Sequence, residues 1–253
     1  MQENKHITST THPLVKMIVQ LHDKKGRKEH TAFIVEGYRA CKGFQENNYV
    51  LLHLIATTTE AHTAQLQFPH ATIITVANQV MEKISTATTP PGILAVFALP
   101  TNNSDNTHLQ SGLVLAQIND PGNMGTLIRS CAAFGYRSLI IVEGCDPFSP
   151  KVIQACAGAL PLIDLFQCDW DTLVASAHKN NLKLAALVVK NGKSVTEITE
   201  KNILFVVGNE AHGLPTQWIN QCDISVTIPM RGATESLNAA VAGSIALALH
   251  SRV

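Results

Sequence analysis

Short apolar runs alternate with amphipathic stretches along nearly the whole chain. In the first hundred residues, Leu14, Met17, Ile18 and Leu21 recur at the spacing of one helix face, which predicts a helix over 13–21. Ala32 to Val35 reads as a strand and 36–44 as a helix, while 51–56, 72–76 and 93–99 read as further strands. From Leu113 onward the alternation is regular. Strands are expected at 113–118, 138–142, 162–166, 184–189, 203–207 and 224–228, and helices at 123–134, 151–159, 170–178, 215–220 and 236–250. Such a pattern predicts a parallel sheet with helices on both faces. Between the two halves, 100–111 is polar, rich in Asn, Ser and Thr, and without periodicity. It reads as a linker joining a small N-terminal α/β domain, 1–99, to a C-terminal α/β domain, 112–253.

Composition narrows the possibilities. With 253 residues, 45% apolar and 15% charged, the chain can bury a full core and does not have the makeup of a disordered protein. No apolar run approaches the ~20 residues needed to cross a bilayer, and the polar start Met1-Gln2-Glu3-Asn4-Lys5 lacks a secretory core. A cytoplasmic protein with no membrane partner is expected. The six cysteines have neither zinc nor redox spacing and read as reduced, buried thiols. No metal is expected. The formal net charge is zero, yet residues 1–44 hold eight Lys or Arg against four acids. Four of those cations, Lys24, Lys25, Arg27 and Lys28, fall in one run that reads as a basic turn and a candidate contact for phosphates.

Chemistry concentrates in three patches, each where a strand-like run stops. They are Asn119-Asp120-Pro121-Gly122-Asn123-Met124-Gly125-Thr126-Leu127-Ile128-Arg129, then Val207-Gly208-Asn209-Glu210-Ala211-His212-Gly213-Leu214, then Ile228-Pro229-Met230-Arg231-Gly232-Ala233-Thr234-Glu235-Ser236-Leu237-Asn238. In open α/β sheets the edge outside the carboxyl ends of the strands is where ligands bind. None of the patches is a Walker loop, a G-x-G-x-x-G dinucleotide fingerprint or a G-x-S-x-G elbow. Gly208, Gly213 and Gly232 permit close approach of main chain to a ligand or a positive φ. Exposed strand-end amides and carbonyls can then read a base edge, with Ile228 and Leu237 covering its face. Asn123, Ser236 and Asn238 are neutral donors and acceptors suited to orienting a ribose and the opposing loops. Glu210 suits a bracing role as well as direct chemistry.

In order and spacing these patches closely resemble the three motifs of the SPOUT superfamily, in its TrmH/SpoU-type branch of RNA ribose methyltransferases. The resemblance implies a C-terminal domain with a deep trefoil knot, S-adenosylmethionine as cofactor, and methylation of a ribose 2′-hydroxyl. It places cofactor contacts at Gly208, Ile228 and Leu237, supported by Gly213, Met230 and Glu210, and gives Arg129 the catalytic position. Because a guanidinium keeps its proton, Arg129 is read as fixing a phosphate and stabilising alkoxide charge. Subunit pairing into a homodimer is also implied.

The first half resembles, more loosely, the substrate-binding domain often fused ahead of such catalytic domains. The matching segments are Thr11 to Lys16, the basic run, Phe33 to Gly37 and Thr89 to Ile93. Structured RNA is therefore the expected partner, ribosomal RNA ahead of transfer RNA. A catalytically silent RNA-binding or ribosome-assembly protein is the alternative, and retention of Arg129, Glu210, Ser236 and Asn238 together argues against it. Two departures from the common pattern are Ala239, where a branched aliphatic is usual, and the basic turn Lys190-Asn191-Gly192-Lys193.

Overall fold

The computed structural model describes residues 6–100, 109–230, 232 and 235–251. The chain divides into two compact units, Met1–Thr101 with Phe148–Pro161, and Asn102–Pro147 with Leu162–Val253. Most of the expected linker, 101–108, lies outside the described residues.

The first unit contains β1 (His6–Ile7), α1 (Pro13–Gln20), α2 (Lys24–His30), β2 (Ala32–Glu36), α3 (Tyr38–Glu46), β3 (Leu51–Thr57), α4 (Ala61–Gln67), β4 (Ile73–Val76), α5 (Asn78–Ile84) and β5 (Ile93–Ala98). Its sheet runs β1-β4-β3-β5-β2. Strand β5 is antiparallel to both neighbours, and the remaining pairs are parallel. Residue parity divides the core between the two faces. Ala32, Ile34, Leu94 and Val96 pack with Val15, Ile18, Val80, Met81 and Ile84 of α1 and α5. Phe33 and Phe97 point the other way, into a ring cluster with Phe44, Tyr49 and Phe148. Phe148 belongs to a segment from the second half of the chain that joins this unit with its helix α7 (Pro150–Ala155).

The run expected to be a basic turn is a helix, α2, ended by Thr31 in the left-handed region. This changes the candidate phosphate contacts. Lys24, Lys25 and Lys28 are exposed, whereas Arg27 is only 3% exposed. Its guanidinium donates to the carbonyls of Leu21 and His22, both at 2.8 Å. Arg27 is thus corrected from a surface cation to the peg that joins α1 to α2. A turn would have left it free, but a helix aims it inward.

The second unit contains β6 (Gly112–Ile118), α6 (Pro121–Ala133), β7 (Ser138–Gly144), β8 (Asp164–Gln167), α8 (Trp170–Lys179), β9 (Lys183–Leu187), β10 (Lys193–Ser194), β11 (Ile203–Val207), α9 (Thr216–Gln221), β12 (Ile224–Thr227) and α10 (Ala239–His250). The sheet runs β10-β12-β9-β11-β6-β7-β8, and every pair in it is parallel. Strand β11 is buried along its whole length, as expected for an inner strand covered on both sides. One face, with Val114, Ala116, Ile140, Val142, Leu204 and Val206, packs on Trp170, Leu173 and Ala177 of α8 and on Leu214 and Trp218. Trp170 and Trp218 stack there at 4.6 Å, with Trp170 Nε1 donating to Gln221. The other face carries α6 and α10. A Cβ at Gly243 would fall 2.5 Å from Leu127 of α6 and 3.0 Å from Val207 of β11, so the small residues of the last helix serve close packing on its own unit.

Candidate active site

Parallel strands deliver every loop that follows them to one edge. The first patch follows β6, the second β11 and the third β12. Strands β6 and β11 are neighbours, while β9 lies between β11 and β12. A cavity of about 630 Å³ opens at this edge, within the usual size for a small-molecule site. Its wall comes from Leu187 to Lys190 at the end of β9 and beyond, Val207 to Gly213 at the end of β11 and beyond, Val226 in β12 with Ile228 and Met230 after it, and Glu235 to Leu237 ahead of α10. All five residues expected to hold the cofactor, Gly208, Gly213, Ile228, Met230 and Leu237, line this one space, as do Glu210 and Ser236.

The three glycines differ in what they do. A Cβ at Gly208 would lie 2.5 Å from the carbonyl carbon of Gly213 and 2.6 Å from Leu214 N, so only hydrogen fits. Gly213 instead supplies a left-handed turn, φ +67°, which closes a bridge with Asn209: the two exchange main-chain bonds of 3.1 and 2.9 Å. The Asn209 carboxamide oxygen accepts from Ala211 N and His212 N, fixing the loop between them. A Cβ added at Gly232 would meet nothing within 4 Å, so close approach does not demand a glycine there.

Side-chain bonds join the patches. Asp120 caps α6 by accepting from Asn123 N at 2.7 Å. Asn123 Nδ2 donates to Glu210 Oε1 at 3.0 Å, and Asp120 N reaches the same oxygen at 3.4 Å. Asn238 Nδ2 donates to Asn123 Oδ1 at 3.1 Å, while its own oxygen caps α10 by accepting from Ala240 N and Val241 N. One chain of bonds, Asn238 to Asn123 to Glu210, therefore runs through all three patches. Of the two roles open to Glu210, bracing is the one its bonds display.

Arg129 lies on the exposed side of α6 and is not part of the cavity wall. It is six residues beyond Asn123, about 9 Å along the helix axis. The edge is acidic. Burial pushes the Cys145 thiol up to about 11, and the charges of Asp146, Asp120 and Glu210 add to the shift. Cys145 therefore stays a neutral thiol, beside Met124 at 3.5 Å.

Sequence reasoning missed the wall after β9. Lys190 stood out only as a basic departure, and Leu187 to Val189 only as a strand end. His212 and Glu235, inside the quoted patches, also line the cavity. The signal was present in that β9 is another parallel strand ending at the same edge. Its position between β11 and β12 is a matter of strand order, which local pattern does not carry.

A glycine-floored cavity with apolar walls and strand-end main chain, at the carboxyl edge of a parallel sheet, suits an α/β protein that binds a nucleoside-type ligand. Comparison with known proteins makes this specific. Residues 110–248 match the SpoU rRNA methylase family, and residues 12–95 match an MRM3-like substrate-binding domain. The chain belongs to the SpoU rRNA methylase family. It is 31% identical to an uncharacterized tRNA/rRNA methyltransferase of Synechocystis sp., across 95% of this chain and 91% of that one. A 23S rRNA guanosine 2′-O-methyltransferase of Bacillus subtilis is 25% identical, across 98% and 99%. The AdoMet-bound rRNA methyltransferase of Sinorhizobium meliloti superposes with a TM-score of 0.88 at 25% identity, covering 98% of this chain and 97% of that one.

Proposed function

We propose that this protein transfers the methyl group of S-adenosylmethionine to a ribose 2′-hydroxyl in structured RNA, with ribosomal RNA as its substrate. The observation that carries the reading is the single cavity on which all five expected cofactor residues converge, tied by Asn238, Asn123 and Glu210 to the patch that bears Arg129. The residues present fit the cofactor. Gly208 leaves room for main chain beside a flat base, Leu187, Val226, Ile228 and Leu237 give it apolar walls, and Glu210 and Glu235 supply carboxylates for a sulfonium.

When bound, S-adenosylmethionine would supply an electrophilic methyl carbon with a neutral thioether as leaving group, open to in-line attack by the hydroxyl oxygen. The protein's share is placement, which means holding that oxygen ~3–3.5 Å from the methyl in near-attack geometry. Asn123 and Ser236 present neutral donors and acceptors for the ribose. Arg129 pairs with the adjoining phosphate and stabilises charge building on the oxygen, while keeping its own proton. The hydroxyl proton leaves to solvent. The N-terminal domain, 1–99, grips the RNA, with Lys24, Lys25 and Lys28 on phosphates. The catalytic domain is 112–253.

Three finer points belong to the same reading. The deep knot is supported by strand order: β9 and β10 are joined directly by residues 188–192, yet β12 lies between them. A homodimer is supported by apolar side chains left exposed near the ends of α10 and α6, Val241 at 45% and Phe134 at 39%. Work in the cytoplasm is supported by six free cysteines, a state reducing compartments maintain.

The test is calorimetric titration with S-adenosylmethionine followed by methyl transfer to ribosomal RNA and mapping of 2′-O-methyl positions. Arg129→Ala is expected to bind cofactor normally and to lose transfer. Absence of cofactor binding at millimolar concentration defeats the enzyme reading, and full activity in Arg129→Ala defeats the role of that residue.

A further inference from the structure

The carboxyl ends of β6 and β7 carry a paired irregularity that methyl transfer as described above does not use. Gln117 has φ +60° and Glu143 has φ +51°. They are adjacent across the two strands, because the register pairs Ala116 with Val142 and then Ile118 with Gly144. Both residues carry a Cβ, and a left-handed backbone is unfavourable for each. Two such residues side by side, at the edge where ligands bind, persist only if the surroundings hold them there.

What the irregularity achieves is visible in the bonds around it. The Gln117 carbonyl accepts Asn119 Nδ2 at 3.1 Å and Asn209 Nδ2 at 3.0 Å. Asn119 opens the first patch. Asn209 shapes the second, since its side-chain oxygen and main chain together hold Ala211, His212 and Gly213 along the cavity wall. The Gln117 side chain donates to Glu143 Oε2 at 2.6 Å, joining the two kinked residues. One carbonyl therefore ties the first patch to the second, independently of the Glu210 brace.

We infer that Gln117 is a positioning residue for the cofactor, acting through its backbone conformation rather than its side-chain chemistry. Its left-handed φ aims the carbonyl at Asn209, and Asn209 in turn holds the loop that floors the cavity. The inference rests on the cofactor reading above. A merely structural kink would alter stability and leave affinity alone. A positioning kink couples the φ preference at 117 to the affinity for S-adenosylmethionine.

The experiment measures the dissociation constant for S-adenosylmethionine by calorimetry, with melting temperature in parallel, for the wild type and for Gln117→Val, Gln117→Asn and Gln117→Gly. Valine, β-branched, is poorly tolerated at positive φ, whereas asparagine and glycine accept it. Valine is expected to weaken binding by about tenfold or more. Asparagine and glycine should rescue it to within about threefold of the wild type, glycine doing so although it lacks the amide that reaches Glu143. Should the valine variant not fold, Gln117→Ala against Gln117→Gly gives the same contrast, with alanine expected at least about threefold weaker. Wild-type affinity in the valine variant, or a glycine variant as weak as valine, overturns the inference while the cofactor reading stands. Absence of binding by the wild type overturns both.

Discussion

The glycines of the second and third patches give the sharpest test of how the cavity is built, because the structure assigns each a different constraint. Alanine at 208 would place a Cβ 2.5 Å from the Gly213 carbonyl carbon, 2.6 Å from Leu214 N and 2.8 Å from the Gly213 oxygen. That is about 1 Å inside the ~3.5–4.0 Å at which carbon atoms normally rest. Every obstructing atom is main chain, so the Asn209–Gly213 loop must move as a body. Overpacking of this kind costs about 1–3 kcal/mol. If the displacement falls on the bound state, affinity for S-adenosylmethionine drops roughly 5- to 150-fold. Alanine at 213 meets nothing within 4 Å but inherits φ +67°, at a cost of about 1–2 kcal/mol in stability. Alanine at 232 meets no neighbour within 4 Å and is expected to stay within about 0.5 kcal/mol of the wild type. Calorimetric titration and thermal unfolding of the three variants should therefore rank 208 worst for binding, 213 intermediate and 232 neutral. Wild-type affinity in Gly208→Ala, or a loss in Gly232→Ala equal to it, would refute the reasoning.

Other outcomes follow from the same geometry. Asn123→Ala removes both the bond to Glu210 and the bond from Asn238; it should lower unfolding free energy by about 1–2 kcal/mol. A double-mutant cycle with Glu210→Ala should show coupling of about 0.5 kcal/mol or more, and additive effects would mean the chain of bonds is not formed in solution. Arg27→Ala is expected to destabilise by about 1.5–3 kcal/mol, because the Leu21 and His22 carbonyls lose their donor. Changing Lys24, Lys25 and Lys28 to alanine should leave the melting temperature in place and flatten the salt dependence of RNA binding by about 0.7–0.9 for each phosphate no longer neutralised. An unchanged slope removes α2 from the RNA interface. Asp223 gives a pH signature: burial acts upward on its pKa, but bonds from Leu184 N and Lys183, with the charge of Lys183, outweigh it and hold the carboxyl below its ordinary value. A group with a depressed folded pKa stabilises above its unfolded value, ~3.9, and loses that contribution as pH falls through the folded one. Melting curves from pH 5 downward should thus converge for the wild type and Asp223→Asn, and parallel curves would contradict this.

Apart from β10, which the sequence presented as part of a basic turn, the strands and helices of the C-terminal unit were legible to within a few residues, and so were the three patches that meet there. The physical reason is that burial repeats every second residue in a strand and every three to four in a helix, so β6, α6, β11 and α10 announce themselves in their own residues. Alternation of the two periods implied a parallel sheet, and with it one edge for all the loops. Local pattern was weaker where charge dominated: Lys24 to Lys28 carries no apolar periodicity, so helix α2 read as a turn and Arg27 as a surface group. Folding in three dimensions, by contrast, set β9 between β11 and β12, which puts Leu187 to Lys190 into the cavity wall. It also separated the roles of Gly208, Gly213 and Gly232, and brought Gln117 to Asn209. Strand order, close approach and side-chain bonds between patches about 90 residues apart arise where distant segments meet, and no property of either segment alone encodes them.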